Sequence, residues 1–286
     1  MAQSEPKHGL YLQNSEVYLG DLTTPETVVE YAEAAESAGW DGVFLADGLG
    51  NETPTIDPWI TMSAVAMRTD EVTLGTWVTP VPRRHPWQLA HNVATVDHLS
   101  DGRVMFGCGL GNPGNYTMFG GEWDPEKLGR QYDEALEIIS RLWQDDPLTY
   151  EGECYKTNRA ELPLTPVQTP RVPVVLGGVW PNKAPFRRAT RWDGIMPGTA
   201  AMWDGGAQGE PVTGTVEEEV REMLEYYRGL TDDPGEVILP VDTPEAPPDF
   251  AETCRDLGAS WLLTYSMLDE ASHNRNLERI REGPPE

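Results

Sequence analysis

Eight short apolar runs, spaced by longer segments with helical periodicity, constrain this chain more than any other feature. They are Gly9-Leu10-Tyr11-Leu12, Gly42-Val43-Phe44-Leu45-Ala46, Val72 to Val78, Arg103 to Gly107, Val172 to Gly177, Asp193 to Met196, Glu236 to Leu239 and Trp261 to Tyr265. Most are apolar at successive rather than alternate positions, the pattern of parallel strands buried on both faces. Strands alternating with helices imply βα units and a parallel sheet. Eight such units in 286 residues predict an α/β fold closed into a (β/α)8 TIM barrel, with residues 1–286 forming a single domain.

Local chemistry marks the unit boundaries. Thr24 is placed to cap the first helix and Pro25 suits its first position. Val28, Val29, Ala32, Ala35 and Ala38 give it an apolar stripe, and Gly39 ends it. A turn around Gly or Asp-Gly precedes later strands at Ser100-Asp101-Gly102, Arg191-Trp192-Asp193-Gly194 and Leu257-Gly258-Ala259. Two stretches break the rhythm. Asp145 to Arg171 is proline-rich, and its Tyr150-Glu151-Gly152-Glu153-Cys154-Tyr155 predicts a hairpin inserted after the fourth helix. Met196 to Thr215, which contains Trp203 and Asp204, follows a strand and reads either as a lid or as a plain surface loop.

Charge narrows the setting. Acids outnumber bases 47 to 21, for a formal charge of -26, and the lysines are Lys7, Lys127, Lys156 and Lys183. Nucleic acid is disfavoured as a partner. The acids spread along helix faces, as at Glu217-Glu218-Glu219 and Glu222, which predicts a whole-surface adaptation to a salt-loving, archaeal-type host, with an ordinary acidic enzyme as the alternative. No apolar run approaches the ~20 residues of a membrane span. The first residues lack a basic start and apolar stretch, so the expected location is cytoplasmic. Cys108, Cys154 and Cys254 are too few and scattered for a disulfide framework or a zinc site.

Barrel enzymes carry their chemistry at the C-terminal ends of strands. Those positions hold Gln13 and Asn14, Asp47-Gly48, Trp77-Val78-Thr79, Gly109-Leu110-Gly111-Asn112, Gly177-Gly178-Val179-Trp180 and Met196-Pro197-Gly198. The set is poor in metal ligands: His85, His91 and His98 fall in or beside the third helix, so no metal is expected. Gly177-Gly178, with a helix expected from near Pro181, suits either a phosphate on backbone N–H groups or a simple tight turn. Trp77 and Trp180 suit either a flat ring system or the core.

Residues 72 to 114 carry a resemblance. Val72-Thr73-Leu74-Gly75-Thr76-Trp77-Val78-Thr79-Pro80 is followed by Arg83-Arg84-His85-Pro86, Val96-Asp97-His98-Leu99-Ser100-Asp101-Gly102-Arg103 and Phe106-Gly107-Cys108-Gly109-Leu110-Gly111. With Ala38-Gly39-Trp40-Asp41-Gly42 and Pro173 to Gly194, this resembles the bacterial luciferase-like monooxygenase family of flavin- and deazaflavin-dependent oxidoreductases. The resemblance implies a cofactor ring against a non-proline cis peptide at Trp77-Val78, with Thr79 and Gly109 beside it. It further implies a phosphate turn at Gly177, Gly178, Val179, Trp180 and Asn182, an acidic residue at Asp47, and a homodimer. Two departures stand out: Gly48 replaces a histidine found in many relatives, and Asn112 stands where sugar-phosphate dehydrogenases carry a catalytic glutamate. Asp47, His85 and Asn112 are the candidate catalytic residues.

The expected function is oxidation or reduction of a small organic substrate. FMN would support monooxygenation, and an 8-hydroxy-5-deazaflavin coenzyme would support hydride transfer. The alternatives are a phosphate-binding barrel isomerase or lyase, and a non-catalytic flavin-binding relative.

The charge reading makes the first prediction. Self-repulsion of an acidic surface falls as the Debye length shrinks to about 3 Å at molar salt. The melting temperature should therefore rise steadily from dilute buffer to molar KCl; a flat response in differential scanning calorimetry would refute the halophilic reading.

Overall fold

In a computed structural model, the described residues are 5–12, 14–15, 19–49, 55–144, 147–202, 211–265, 268 and 272–285. Each apolar run forms a strand. They are β1 (Lys7–Tyr11), β2 (Gly42–Leu45), the split pair β3 (Thr73–Thr76) and β4 (Thr79–Pro80), β5 (Val104–Gly109), β8 (Val174–Trp180), β9 (Gly194–Thr199), β10 (Glu236–Pro240) and β11 (Trp261–Thr264). All pairings among them are parallel, and β1 meets both β2 and β11 while β3 and β4 meet β5. The sheet therefore closes, with β3 and β4 together as its third stave, into an eight-stranded barrel.

The helices lie between the strands: α1 (Pro25–Ser37), α2 (Pro58–Ala66), α3 (Pro86–Leu99), α4 (Gly114–Thr117), α5 (Pro125–Leu142), α6 (Ala184–Ala189), α7 (Val216–Arg228), α8 (Phe250–Asp256) and α9 (His273–Arg281). Thr24 caps α1 by accepting the Thr27 N–H at 3.1 Å, and Pro25 occupies the first turn. Gly39, at φ +86°, turns the chain after it, a conformation open to glycine and costly for other residues. Val28, Tyr31, Ala32, Ala34 and Ala35 face the barrel. The Asp-Gly turns also lock neighbouring units: Asp41 accepts the His8 N–H and Asp193 the Val174 N–H, each at 2.7 Å.

The expected hairpin is present as antiparallel β6 (Leu148–Glu151) and β7 (Lys156–Ala160). The Glu134 carboxylate of α5 holds its tip, accepting N–H groups from Glu153 at 2.9 Å and from Cys154 and Tyr155 at 3.0 Å. Asp145, the expected start of the insertion, and Gln13, Trp203 and Asp204 lie outside the described residues.

Inside the barrel, Tyr11, Phe44, Met105, Val175, Met196, Ile238, Trp261 and Leu263 form one cluster. Large side chains fit because inward glycines face them. A Cβ at Gly75 would lie 2.3 Å from the Phe44 ring and one at Gly9 2.7 Å from it, while one at Gly42 would lie 2.9 Å from Trp261. The outward-facing strand residues, such as Leu74, Phe106, Leu176 and Leu239, share a second core cluster with helix residues that include Leu136, Ile139, Phe186 and Leu224.

β8 runs through Gly177 and Gly178 to Trp180 instead of ending at them, and the next helix starts at Ala184, not near Pro181. The reason is register: β9 continues beside β8 as far as Thr199, so Gly178 pairs with Pro197 and Trp180 with Thr199. Gly178 faces outward, where an added Cβ would lie 2.4 Å from Cβ of Pro185. Gly178→Val should thus destabilise the fold by about 1–3 kcal/mol through overpacking. Urea unfolding measures this, and an unchanged midpoint would show that α6 yields freely.

Candidate active site

The third stave carries the main irregularity. Its pairing with β5 runs Leu74↔Val104 and Gly75↔Met105, then resumes at Thr79↔Cys108, so one extra residue is accommodated in the third stave. The Trp77–Val78 peptide within this bulge is cis. Val78 turns toward the neighbouring strands, into space that Gly109 and Gly177 leave open. A Cβ on either glycine would lie 2.8 Å from a Val78 methyl. Trp77, Val78, Gly109 and Gly177 are thus brought together.

Trp77 meets two residues that sequence reasoning did not single out. Its ring lies edge-on to Tyr11 at 5.5 Å and to Tyr265 at 5.2 Å, and the two tyrosines stack at 5.1 Å. The signal was present in the sequence, since Tyr11 and Tyr265 close the first and last apolar runs. Above this aromatic floor the inward positions at the strand ends are small, among them Ala46, Gly109 and Gly198. Val179 lies on the inward register of β8, two residues past Gly177.

Asp47 anchors a second, polar group. It is 3% exposed, and its carboxylate accepts from Nη2 of Arg83 and from Nε and Nη2 of Arg84, the latter at 2.9 Å to both oxygens. Arg83 also donates to Oδ1 of Asn115 at 2.8 Å, and Asn115 donates to Oδ1 of Asn112 at 2.6 Å. This chain ties together the ends of β2, β4 and β5. Removing one partner of such a buried pair costs on the order of 3 kcal/mol, because the remaining charge has no compensation. Both Asp47 oxygens are thus engaged by guanidinium groups. The two arginines were legible as a motif, but their partner was not.

Other expected site residues lie elsewhere. His85 is exposed at the start of α3, just before Pro86, and stacks on Trp87 at 5.0 Å. Thr79 is buried and accepts the Trp59 indole N–H at 3.2 Å. Trp180 faces outward and packs on Phe186 and Tyr226 at 5.7 and 5.6 Å. Asn182 accepts the Ala184 N–H at 3.1 Å, and Gly178 faces Pro185, so the tight phosphate turn expected from Gly177-Gly178 is an extended strand here. Near the mouth, burial pushes the Tyr116 hydroxyl well above its ordinary range, and it donates to the Leu110 carbonyl at 2.6 Å. Burial likewise pushes the Cys108 thiol up to about 12, against the Tyr132 hydroxyl at 3.2 Å. Among the described residues no group of His, Cys, Asp or Glu is arranged to hold a metal ion, and no helix is long and apolar enough to cross a membrane.

Comparison with known proteins agrees with this architecture. The F420-dependent glucose-6-phosphate dehydrogenase of Microbacterium testaceum (strain StLB037) is 36% identical over 166 residues, 55% of this chain and 48% of that protein. The chain therefore matches about half the length of this curated relative. Among solved structures, monooxygenase RslO1 from Streptomyces bottropensis superposes with a TM-score of 0.76 at 17% identity, covering 96% of both chains. An F420-dependent secondary alcohol dehydrogenase, solved with an F420-acetone adduct, gives 0.72 at 18% identity over 98% of both. The oxygenating constituent of 3,6-diketocamphane monooxygenase from Pseudomonas putida, in complex with FMN, gives 0.67 at 16% identity over 83% of this chain and 67% of that one. The sequence pattern of the luciferase-like monooxygenase family matches residues 6–232, and with its closed eight-stranded barrel this chain belongs to that family.

Proposed function

We propose that this oxidoreductase moves a hydride between a deazaflavin coenzyme of the F420 type and a small-molecule substrate. The observation that carries the reading is the barrel mouth, where Tyr11, Trp77 and Tyr265 make an aromatic floor under small inward residues. A planar ring fits such a space, since it exchanges water for aromatic surface on one face. The names of the relative and of the alcohol dehydrogenase, both F420-dependent, favour deazaflavin over FMN.

When bound, a deazaflavin supplies a two-electron hydride acceptor or donor. In this reading Trp77 and Val78 support the ring, with the backbone of Thr79, Gly109, Gly177 and Val179 around it. Gly178, Trp180 and Asn182 border its phosphate through backbone groups, their side-chain directions being taken up by the packing of α6. Asp47 holds Arg83 and Arg84 in place at the rim. Asn112, engaged by Asn115, offers an amide where sugar-phosphate dehydrogenases of the family have a carboxylate, which argues against glucose 6-phosphate as the substrate. The FMN reading, with monooxygenation, draws on the FMN complex of the diketocamphane enzyme.

Fluorescence titration at high salt separates the two cofactors. F420 should bind at least about tenfold more tightly than FMN, a difference of roughly 1.4 kcal/mol. Tighter FMN binding would replace the hydride-transfer reading with the monooxygenase one, and binding of neither would defeat both.

The chain is further proposed to act as a homodimer. Ile60 and Met67, 75% and 66% exposed on and just after α2, support association through that face. Light scattering at high salt should give twice the 31.7 kDa chain mass; a monomer mass would reject it.

A further inference from the structure

The segments that leave the C-terminal ends of the strands surround the entrance to a barrel's mouth. In this chain they are residues 12–24, 46–57, 81–85, 110–124, 181–183, 200–215, 241–249 and 265–272. Their sequence holds fourteen Asp and Glu, in turn two, three, none, two, none, two, three and two. Against these stand Arg83, Arg84, His85 and Lys183; the other eighteen of the 21 Lys and Arg lie elsewhere in the chain. The entrance is therefore short of cations to a degree that the chain as a whole is not.

The cations that are present face acids or rings. Arg83 and Arg84 both donate to Asp47, and Arg84 also lies 3.5 Å from Asp57. The Lys183 ammonium lies 5.0 Å from the Tyr226 ring and 5.9 Å from that of Trp180. The acids Asp21, Glu245 and Asp249 are exposed. The inner wall has the same bias. Ile238 belongs to the inner cluster, and the two-residue strand period puts Pro240 and the half-buried Asp242 on its face. Among the described inward-facing residues at the strand ends there is no Lys or Arg to offset that carboxylate.

We infer that the mouth is an electrostatic filter, selecting small molecules that are neutral or positively charged over anions of the same shape. This rests on the hydride-transfer reading above for the identity of the coenzyme. Like charges along a concave, low-dielectric wall repel an anion before it makes contact. F420 itself carries a phosphodiester and glutamate carboxylates, so salt should strengthen its binding. The field of the entrance reaches about 10 Å at 0.1 M salt and about 3 Å at 1 M. The same field disfavours a sugar phosphate as substrate.

The full chain is titrated at 0.1 and 1 M KCl, near pH 8.5, where imidazoles are neutral. One ligand is F420 and the other its ring-and-ribityl fragment, which lacks phosphate and glutamates and so reports any effect of salt on the fold itself. The F420 affinity should rise at least about tenfold between the two salts and that of the fragment by less than about twofold. In the triple variant Asp21→Asn, Glu245→Gln, Asp249→Asn the F420 gain should fall to about threefold or less, with the fragment unchanged. Ligand-observed NMR on the F420 complex then compares cyclohexanol, trans-4-aminocyclohexanol and 4-hydroxycyclohexanecarboxylate. The amine should bind most tightly and the carboxylate at least about tenfold more weakly than it at 0.1 M KCl, the gap closing at 1 M. An F420 affinity that stays flat or falls with salt, a wild-type response in the triple variant, or a carboxylate that binds as well as the amine overturns the filter. If none of the three alcohols binds, the salt response of the coenzyme and its fragment decides. Binding of neither F420 nor the fragment at either salt defeats the hydride-transfer reading itself, whereas F420 binding that weakens with salt leaves that reading standing and defeats only the filter.

Discussion

A closed parallel barrel has an inner face that no helix can cover, so its own side chains must fill it to crystal-like density. In this chain the filling is uneven by height. The middle is occupied by Phe44, Met105, Met196 and Trp261, and glycines leave room for three of them: Gly9 and Gly75 for Phe44, Gly107 for Met196 and Gly42 for Trp261. Toward the C-terminal ends the inward positions shrink to Ala46, Gly109 and Gly198, and the filling stops at the plane of Tyr11, Trp77 and Tyr265. The small residues at the mouth thus begin where the large ones run out.

The bulge in the third stave follows from the same constraint. Val78 is directed across the barrel, and Gly109 and Gly177 are the positions that let it be. Larger residues at either would push Val78 back and carry the bulge with it. The bulge also decides where Arg83 and Arg84 emerge, since they follow it by a few residues, and so brings both guanidinium groups onto Asp47. One local irregularity thus places the aromatic floor on one side and the buried ion pair on the other.

The ion pair has a chemical consequence. A carboxylate at the end of β2 looks in sequence like a free acid, yet two guanidinium groups occupy it, and the polar chain through Asn115 to Asn112 makes it a brace between three strand ends. A carboxylate that sequence did not mark, Asp242, accepts the backbone N–H of Tyr265, whose ring is part of the aromatic floor. Both acids find these hydrogen-bond partners in segments far apart in the chain.

The eight strands, their parallel sense, the capped first helix and the inserted hairpin were all legible in the sequence. Apolar runs, Asp-Gly turns and caps such as Thr24-Pro25 act over a few residues, and local sterics and solvation decide them. The motif around Trp77 and Arg83-Arg84-His85 was equally plain. Facing direction was not, because it depends on register. The continued pairing of β8 with β9 turned Gly178 and Trp180 outward, His85 stacked on Trp87, and Thr79 was claimed by Trp59. Nor could the sequence bring Tyr11 to Tyr265 or Asp242 to the mouth, since those contacts exist only once β11 closes against β1. The repeating unit was thus settled by interactions within each βα segment, while the composition of the site was settled by barrel closure, which joins residues that chain proximity never relates.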